Sequence, residues 1–468
     1  MTNQSGAAAE IYPEQKTNDN YGLHAGVLGP LETLAQSVSA MAPSTSPSLT
    51  IPLVFAIAGN ATWFVYVMAT GATLLVGFCI SRFAKLSASP GSLYTYAADT
   101  LPTAFGVTAA WALLIAYLAI GASVAGGALY YTNLLSQQFL HFTPPSLLTL
   151  IVVCLCAGLV AWRDVKLSAE LMLWIEVCSL SLILIVLIVM LVRFGFHLDM
   201  DQFRMRGASF SGLGPALVLS MFSFVGFESA TTLGAEARDP LRTIPRAVIQ
   251  CAIIAGVFFV LCSYSEILGF RGESGRLSET TSPLHLIAGK AGISPLGTGI
   301  DFGAFVSMIA CVLACITAAS RVLMRMAHQQ LLPPVFERTS RRHGTPAAAI
   351  ALSTGLILIS TCIMGLRGVN GSDIYDLMGS LSVFGFLTAY ALVAIALPFA
   401  RRARGQHSRA VAAVSILAVL VVVLIAVYDL RSTADAAHAR LPYIYLVYIA
   451  CALAWYAARR RHVLVAAR

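Results

Sequence analysis

Charge is what this chain has least of. Only 11% of its 468 residues are Asp, Glu, Lys or Arg, against about 25% in a soluble globular domain. With 58% hydrophobic residues and a mean hydropathy of +0.79, most of its surface has to face lipid. Other absences narrow the class. Its ten cysteines contain no CxxC pair, which argues against a metal ribbon or a redox dithiol. All ten sit in apolar stretches and read as small packing residues. The nine histidines show no HExxH spacing, and no Walker motif occurs, so neither a metalloprotease nor a built-in ATP motor is expected. No ring of like charges or repeated filter sequence suggests a channel. Residues 1–25 have no apolar h-region, so a cleaved signal is not expected there. They read as a disordered cytoplasmic tail.

What is present is a nearly unbroken series of apolar windows. A transmembrane helix needs about 20 apolar residues. Breaks at charged residues, Pro and Gly divide the chain into twelve expected spans. These are 32–57, 60–81, 103–136, 146–162, 168–193, 213–235, 245–269, 299–326, 346–366, 373–398, 410–428 and 440–458. With the N-terminus inside, 21 of the 30 Lys and Arg residues fall on the tails and even-numbered connections. They include Arg82, Lys85, Arg163, Lys166, Arg238, Arg242, Arg246, Arg321, Arg325 and Arg401. The positive-inside rule then places both termini in the cytoplasm. The net charge of +8 is accounted for by loops near anionic lipid and requires no nucleic acid. The outer connections, 194–212 and 270–298, are too short for a separate domain. Any site must therefore be made by the helices.

Two spans are interrupted. In the first, "APSTSP" (42–47) sets Pro43 and Pro47 around three hydroxyl residues. Each proline removes an N–H and disfavours helix at the residue before it. In the sixth, "VGFES" (225–229) puts Gly226 and Glu228 inside an apolar run. Non-helical backbone at that depth has to face protein or a wet cavity. Taken singly, either break could be an ordinary packing feature. Their corresponding positions in two halves point instead to a transporter site. A half-helix starting near Ser46 offers N–H groups and a partial positive charge to a carboxylate. Half-helices ending near Met41 and Phe224 offer carbonyls to an ammonium group. A zwitterion fits both.

Three segments carry a family resemblance. "FSFVGFESATTLGAEARDPLRTIPRAV" (222–248), "SASPGSLYTYAADTLP" (87–102) and "AASRVLMRMAHQQLLPPVFERTSRRHGTP" (318–346) resemble the amino acid–polyamine–organocation permeases. The resemblance runs from about residue 25 to the C-terminus. It implies an all-α membrane protein of twelve transmembrane helices, a LeuT-like 5+5 inverted repeat with discontinuous helices 1 and 6. The transporter domain would span 26–460, with repeat one at about 30–194 and repeat two at about 210–398. Two additional helices would follow at about 409–458, then a cytoplasmic tail at 461–468. It implies amino acid transport by alternating access. The amino group would meet carbonyls around Ala40, Met41 and Ala42, with Phe222, Ser223 and Phe224. Phe222 falls where relatives place an aromatic gate, Gly226 opens the sixth helix, and Ser44, Thr45 and Ser46 face the carboxylate. Many relatives carry a glycine-serine-glycine motif where this chain has "PSTSP", so hydroxyls would replace two lost amides.

Ionisable residues inside spans are functional candidates by default. Glu228 follows the sixth-span break and reads either as a structural cap of the second half-helix or as a substrate contact. Glu176, in "LWIEVCSL", reads either as the coupling-proton carboxyl or as a partner of Lys166 or Arg163. Thr317 and Ser320 are candidates for a sodium site. Glu266 and Asp301 lie near span ends and read as interfacial. Arg321 and Arg325 read as anchors. No metal or tightly held cofactor is expected, only a coupling ion, proton or sodium. The expected function is a permease of the cytoplasmic (inner) membrane, a monomer or homodimer, carrying an amino acid or related amine as a symporter. An exchanger or a polyamine permease is the alternative. The uncharged residues at the breaks lean towards a neutral or small substrate.

Overall fold

The computed structural model describes residues 21–193, 199–271, 277–280, 282–340, 342–406, 408–431 and 437–466. The helices are α1 (Pro30–Met41), α2 (Ile51–Ala58), α3 (Thr62–Ala84), α4 (Ser92–Ala98), α5 (Thr103–Leu140) and α6 (Ser146–Arg163). Next come α7 (Val165–Arg193), α8 (Met200–Phe203), α9 (Leu213–Phe222), α10 (Pro240–Gly269) and α11 (Pro283–Lys290). The last are α12 (Ser294–His328), α13 (Ala347–Leu366), α14 (Gly371–Ala403), α15 (Arg409–Arg431) and α16 (Leu441–Ala466). Among the described residues there is no strand, only one isolated parallel bridge between Leu28 and Ala237. Among the described residues, ten helical segments are long and apolar enough to cross a membrane. One of these is the whole stretch Pro30–Ala84, and Leu213–Phe222 is a shorter apolar helix beside them.

The layers follow from side-chain size. Within its most apolar window α5 is 89% buried, whereas the segment His438–Ala458 is 17% buried. The first is therefore central and the second faces lipid. Lipid supplies no hydrophobic drive between helices, so close packing of small residues has to hold them together. The run "AIGASVAGGA" on α5 does this. Gly126 and Gly371 bring the backbones of α5 and α14 together so closely that a Cβ on Gly126 would lie 2.9 Å from the Gly371 carbonyl oxygen. On the lipid side, Leu417, Leu420, Val423 and Leu424 of α15 are exposed.

Several expectations need correction. The tail expected over 1–25 lies outside the described residues up to position 20, and from Tyr21 onward it is packed. Arg325 donates to the Tyr21 hydroxyl at 3.0 Å, and Leu28 exchanges backbone hydrogen bonds with Glu236 and Arg238. At the other end, α16 continues to Ala466, through most of the expected 461–468 tail. Arg321 is not an interfacial anchor. It is 1% exposed, and its Nε and Nη2 donate to the two oxygens of buried Glu236 at 2.9 and 2.8 Å. Its guanidinium is covered by neighbouring elements rather than exposed at the helix end. Glu266 is fully buried and Asp301 nearly so. Asp301 pairs with His285 Nδ1 at 2.7 Å, so both carboxyls are covered by protein rather than exposed at the span ends.

Removing one partner of a buried ion pair costs about 3–5 kcal/mol, because a charge is left unpaired. Glu236→Gln is therefore expected to lower the stability of the purified protein by about that much in thermal unfolding. Glu170→Gln, which loses only the half-exposed 3.7 Å contact with Lys166, is expected to change nothing measurable. Equal midpoints for the two variants would contradict the buried-pair assignment.

Candidate functional site

The first break begins where α1 ends. Ala42 takes the left-handed conformation, φ 47° and ψ 63°, a strained place for a residue with a Cβ. It precedes Pro43, which disfavours a helical Ala42. The chain restarts as a π-helical turn, Ser46–Thr50, before α2. Such wide turns concentrate at functional positions. The restart at Ser46 is where the proline pattern placed it. Thr45 closes the gap: its backbone N–H and hydroxyl both donate to the Ala42 carbonyl, at 3.0 and 2.8 Å.

The second break begins at Phe222, two residues before the expected Phe224, where α9 ends. Gly226 has φ +93°, a region that favours glycine. The second half of this span is not the expected α-helix. Residues Ser229–Leu233 form a 3₁₀ turn instead. The reason is local: the Thr231 and Thr232 hydroxyls donate three residues back, to the Glu228 and Ser229 carbonyls. Short hydroxyl side chains compete with the helix in this way.

The two breaks touch. A Cβ on Gly226 would lie 2.7 Å from the Ala40 carbonyl oxygen. Around that contact α1 braces the second break: Ser37 Oγ accepts from the Ala230 N–H at 2.8 Å. Gln36 donates to Ser229 Oγ and to the Ala314 carbonyl. The Cys311 thiol donates to the Ala40 carbonyl at 3.2 Å. Cys311 stands near the middle of α12, so the meeting point is close to mid-helix depth. Several buried polar atoms near it have no partner among the described residues: Ser39 Oγ, Ser44 Oγ, Gln36 Oε1 and Glu176 Oε2.

The expected site residues are distributed unevenly around this point. Ala40 and Gly226 are in contact, and Met41, Ala42, Pro43, Ser44, Thr45, Ser46 and Pro47 are all buried beside them. The Phe222 ring sits edge-on to Tyr375, with centroids 5.3 Å apart, and lies against Gly379 of α14. The Ser223 and Tyr66 hydroxyls are 3.2 Å apart, while Phe224 packs edge-on to Phe259. Glu228 does not cap the turn after it. Its two oxygens accept from the Tyr117 and Tyr390 hydroxyls at 3.0 and 2.6 Å, so both are occupied by the protein. Glu176 is 3% exposed, and neither Lys166 nor Arg163 is its partner. Lys166 instead meets Glu170, and Ser307 donates to Glu176 Oε1 at 2.7 Å. Ser307 is one turn from Cys311, which puts Glu176 near the level of the breaks.

Thr317 and Ser320 lie elsewhere. Ser320 is nine residues beyond Cys311, roughly 13 Å along the helix. Arg321 Nη1 donates to the Thr317 carbonyl and to Ser320 Oγ at 3.2 and 3.3 Å. A guanidinium on these oxygens competes with any sodium ion for the same lone pairs. The sequence reading missed Tyr375, Tyr66, Tyr117, Tyr390, Cys311 and the Gln36–Ser39 face. Only the last had a visible signal, since "QSVS" is as polar for its span as the glutamates that drew notice.

Comparison with known proteins points one way. The family model described as amino acid permease matches residues 48–464. A branched-chain amino acid permease of Bacillus subtilis (strain 168) is 23% identical, over 75% of this chain and 76% of its own length. A methylthioribose transporter of the same organism is 24% identical, over 74% of each chain. The vacuolar cationic amino acid transporter 4 of Arabidopsis thaliana is 23% identical, over 72% of this chain and 57% of its own length.

Gly226→Ala places a methyl group on the Ala40 carbonyl at a backbone angle alanine resists. It is expected to lose about 1–3 kcal/mol of stability. Gly71→Ala, on α3 with open space around it, is expected to gain about 0.5–1 kcal/mol. Thermal unfolding of both purified variants reads the opposite signs. A tolerant Gly226→Ala would mean that the breaks do not meet as described.

Proposed function

The chain belongs to the amino acid permease family, and from that premise we propose that it is a secondary active transporter of an amino acid or close amine relative. One observation carries the reading: two opened helices meet at Ala40 and Gly226 with unpaired polar atoms around them. The unpaired atoms are side-chain oxygens of Gln36, Ser39, Ser44 and Glu176, and burying a polar group without a partner costs free energy, which supports a place where something polar is held. A zwitterion is bound there by backbone dipoles, its ammonium on carbonyls at the ends of α1 and α9, and its carboxylate by Ser44–Ser46. Phe222 closes over it from the α14 side.

The crossing count behind this reading is twelve, with Pro30–Ala84 counted twice and the broken 213–235 segment once. The two breaks then fall in corresponding spans of repeats at about 30–194 and 210–398, the arrangement that supports alternating access about a fixed site. The helices at 409–458 stand outside the repeats. The basic-residue bias supports both termini in the cytoplasm and insertion in the cytoplasmic membrane. Glu176, with one oxygen unpaired beside the breaks, is the coupling-proton carboxyl. Arg321 on the Thr317 and Ser320 oxygens argues against sodium at that place. Uncharged break residues, and a relative named for branched-chain amino acids, favour a neutral substrate. The open Glu176 oxygen favours a second reading, a substrate with an additional amine, in line with the relative named for cationic amino acids.

A thermal-shift screen of the purified protein against amino acids and polyamines is expected to show stabilisation by one chemical group of them. A ligand at about 100 times its Kd adds about 2.7 kcal/mol. Proteoliposome uptake of that ligand under imposed proton or sodium gradients then separates symport from exchange. Accumulation is expected with a proton gradient, and Glu176→Gln is expected to abolish it. Gradient-driven uptake that survives Glu176→Gln would remove Glu176 from the coupling role.

A further inference from the structure

Glu266 is the least accommodated group in the chain. It sits three residues from the end of α10, where a span ordinarily emerges into the interface, yet it is 0% exposed. Neither carboxyl oxygen has a hydrogen-bond partner among the described residues. The other buried glutamates differ: Glu228 is held by two tyrosines, Glu236 by Arg321, and Glu176 by Ser307 on one side.

The end of α10 is covered rather than free. Ser263, Ser265 and every residue from Glu266 to Phe270 are buried. Gly269 lies against Met190 of α7 and Ile287 of α11. Lys290, at the exposed end of α11, reaches back so that its Nζ donates to the Gly269 carbonyl at 3.2 Å. The same amine stands 4.8 Å over the Phe270 ring. A short helix and its terminal lysine thus cover the end of α10 on the side that the charge bias assigns to the outside.

The ionisable surroundings are few. On α10 itself, Cys262 is one turn earlier. Tyr66 of α3 has its hydroxyl on Ser223 at the second break. From α11 there are Lys290 and His285, the latter paired with Asp301; α7 carries Glu176, held by Ser307, and ends in Arg193, which lies against Gly292. The π-helical turn carries no ionisable residue, and α1 has only Glu32, at its far end. Asp199 pairs with Arg271 beyond the end of α10. None of these forms an ion pair or hydrogen bond with Glu266 among the described residues.

We propose that Glu266 is a proton-loading site on the outer half of the transport pathway, at the end of α10 that α11 and Lys290 cover. The inference rests on the transport reading and adds to it a second carboxyl, at a different depth from Glu176. The choice of proton follows from the missing ligands. A dehydrated metal cation needs a shell of some six oxygens, and nothing else polar converges on this carboxyl. A proton needs one oxygen and leaves a neutral acid, the form that an apolar, unpaired pocket tolerates. The O–H bond forms with a proton taken from water on the open side. It breaks, returning the proton to water, when the site is re-exposed on the other side.

Infrared difference spectra of the purified full-length protein, acid minus alkaline, test this directly. Two buried carboxylic acids are expected to contribute carbonyl intensity in the wild type, and Glu266→Gln is expected to lose one component while keeping the one that Glu176→Gln loses. The same band in Glu266→Gln as in wild type, or its loss on adding sodium at fixed pH, overturns the proposal. In proteoliposomes, one pH unit drives about tenfold accumulation at one proton per substrate. Glu266→Gln is expected to bring this to about one while counterflow exchange continues. Glu266→Asp, which keeps the acid, retains the drive. Accumulation by Glu266→Gln equal to wild type overturns the proposal. A wild type that carries no amine under any gradient overturns the transport reading instead, and the infrared band then decides the proton site alone.

Discussion

Everything in this structure depends on the requirement that backbone N–H and C=O groups inside a bilayer find partners within the protein. A continuous helix meets it automatically. An opened helix does not, and the cost can be contained only if a second element covers the opening. Here that element is another opened helix. Gly226 lies on the Ala40 carbonyl, and Ser37 takes the Ala230 N–H. Thr45 bonds back to Ala42. Each break supplies part of what the other lacks.

The same requirement sorts the buried charges. Arg321 and Glu236 satisfy one another with two nearly ideal hydrogen bonds, fastening α12 to the segment just after the second break. Glu228, a few residues earlier, is held by hydroxyls from α5 and α14 and so ties the break to the central helix pair. These groups have no capacity left for a substrate. Glu176 retains one oxygen and Glu266 retains two. A gradation from fully paired to unpaired carboxyls runs through the buried acidic groups, and the proposed proton sites are taken from its unpaired end.

How much could be read in advance varies by feature. Span positions came from hydropathy and agree with the helices to within a few residues at most ends, because lipid thickness sets their length. The breaks were readable from Pro43, Pro47 and Gly226, since these residues act on their own backbone. The character of the segment after Gly226 was not, because the threonine back-bonds that make it a 3₁₀ turn depend on side-chain rotamers. Arg321, Glu266 and Asp301 were misplaced for one reason. Nearness to a span end implies exposure only when the helix end is uncovered, and all three side chains are buried by other elements.

The chain by itself therefore determined that it lives in lipid, where its helices run, and where two of them cannot continue. These are consequences of composition and of residues that constrain their immediate neighbours. Only the tertiary structure decided that the two interruptions meet, which hydroxyls and thiols surround them, and which carboxyls are already paired. Those are contacts between residues far apart in the chain, such as Thr45 with Tyr375, 330 positions away, and no local rule of sequence reaches across that distance.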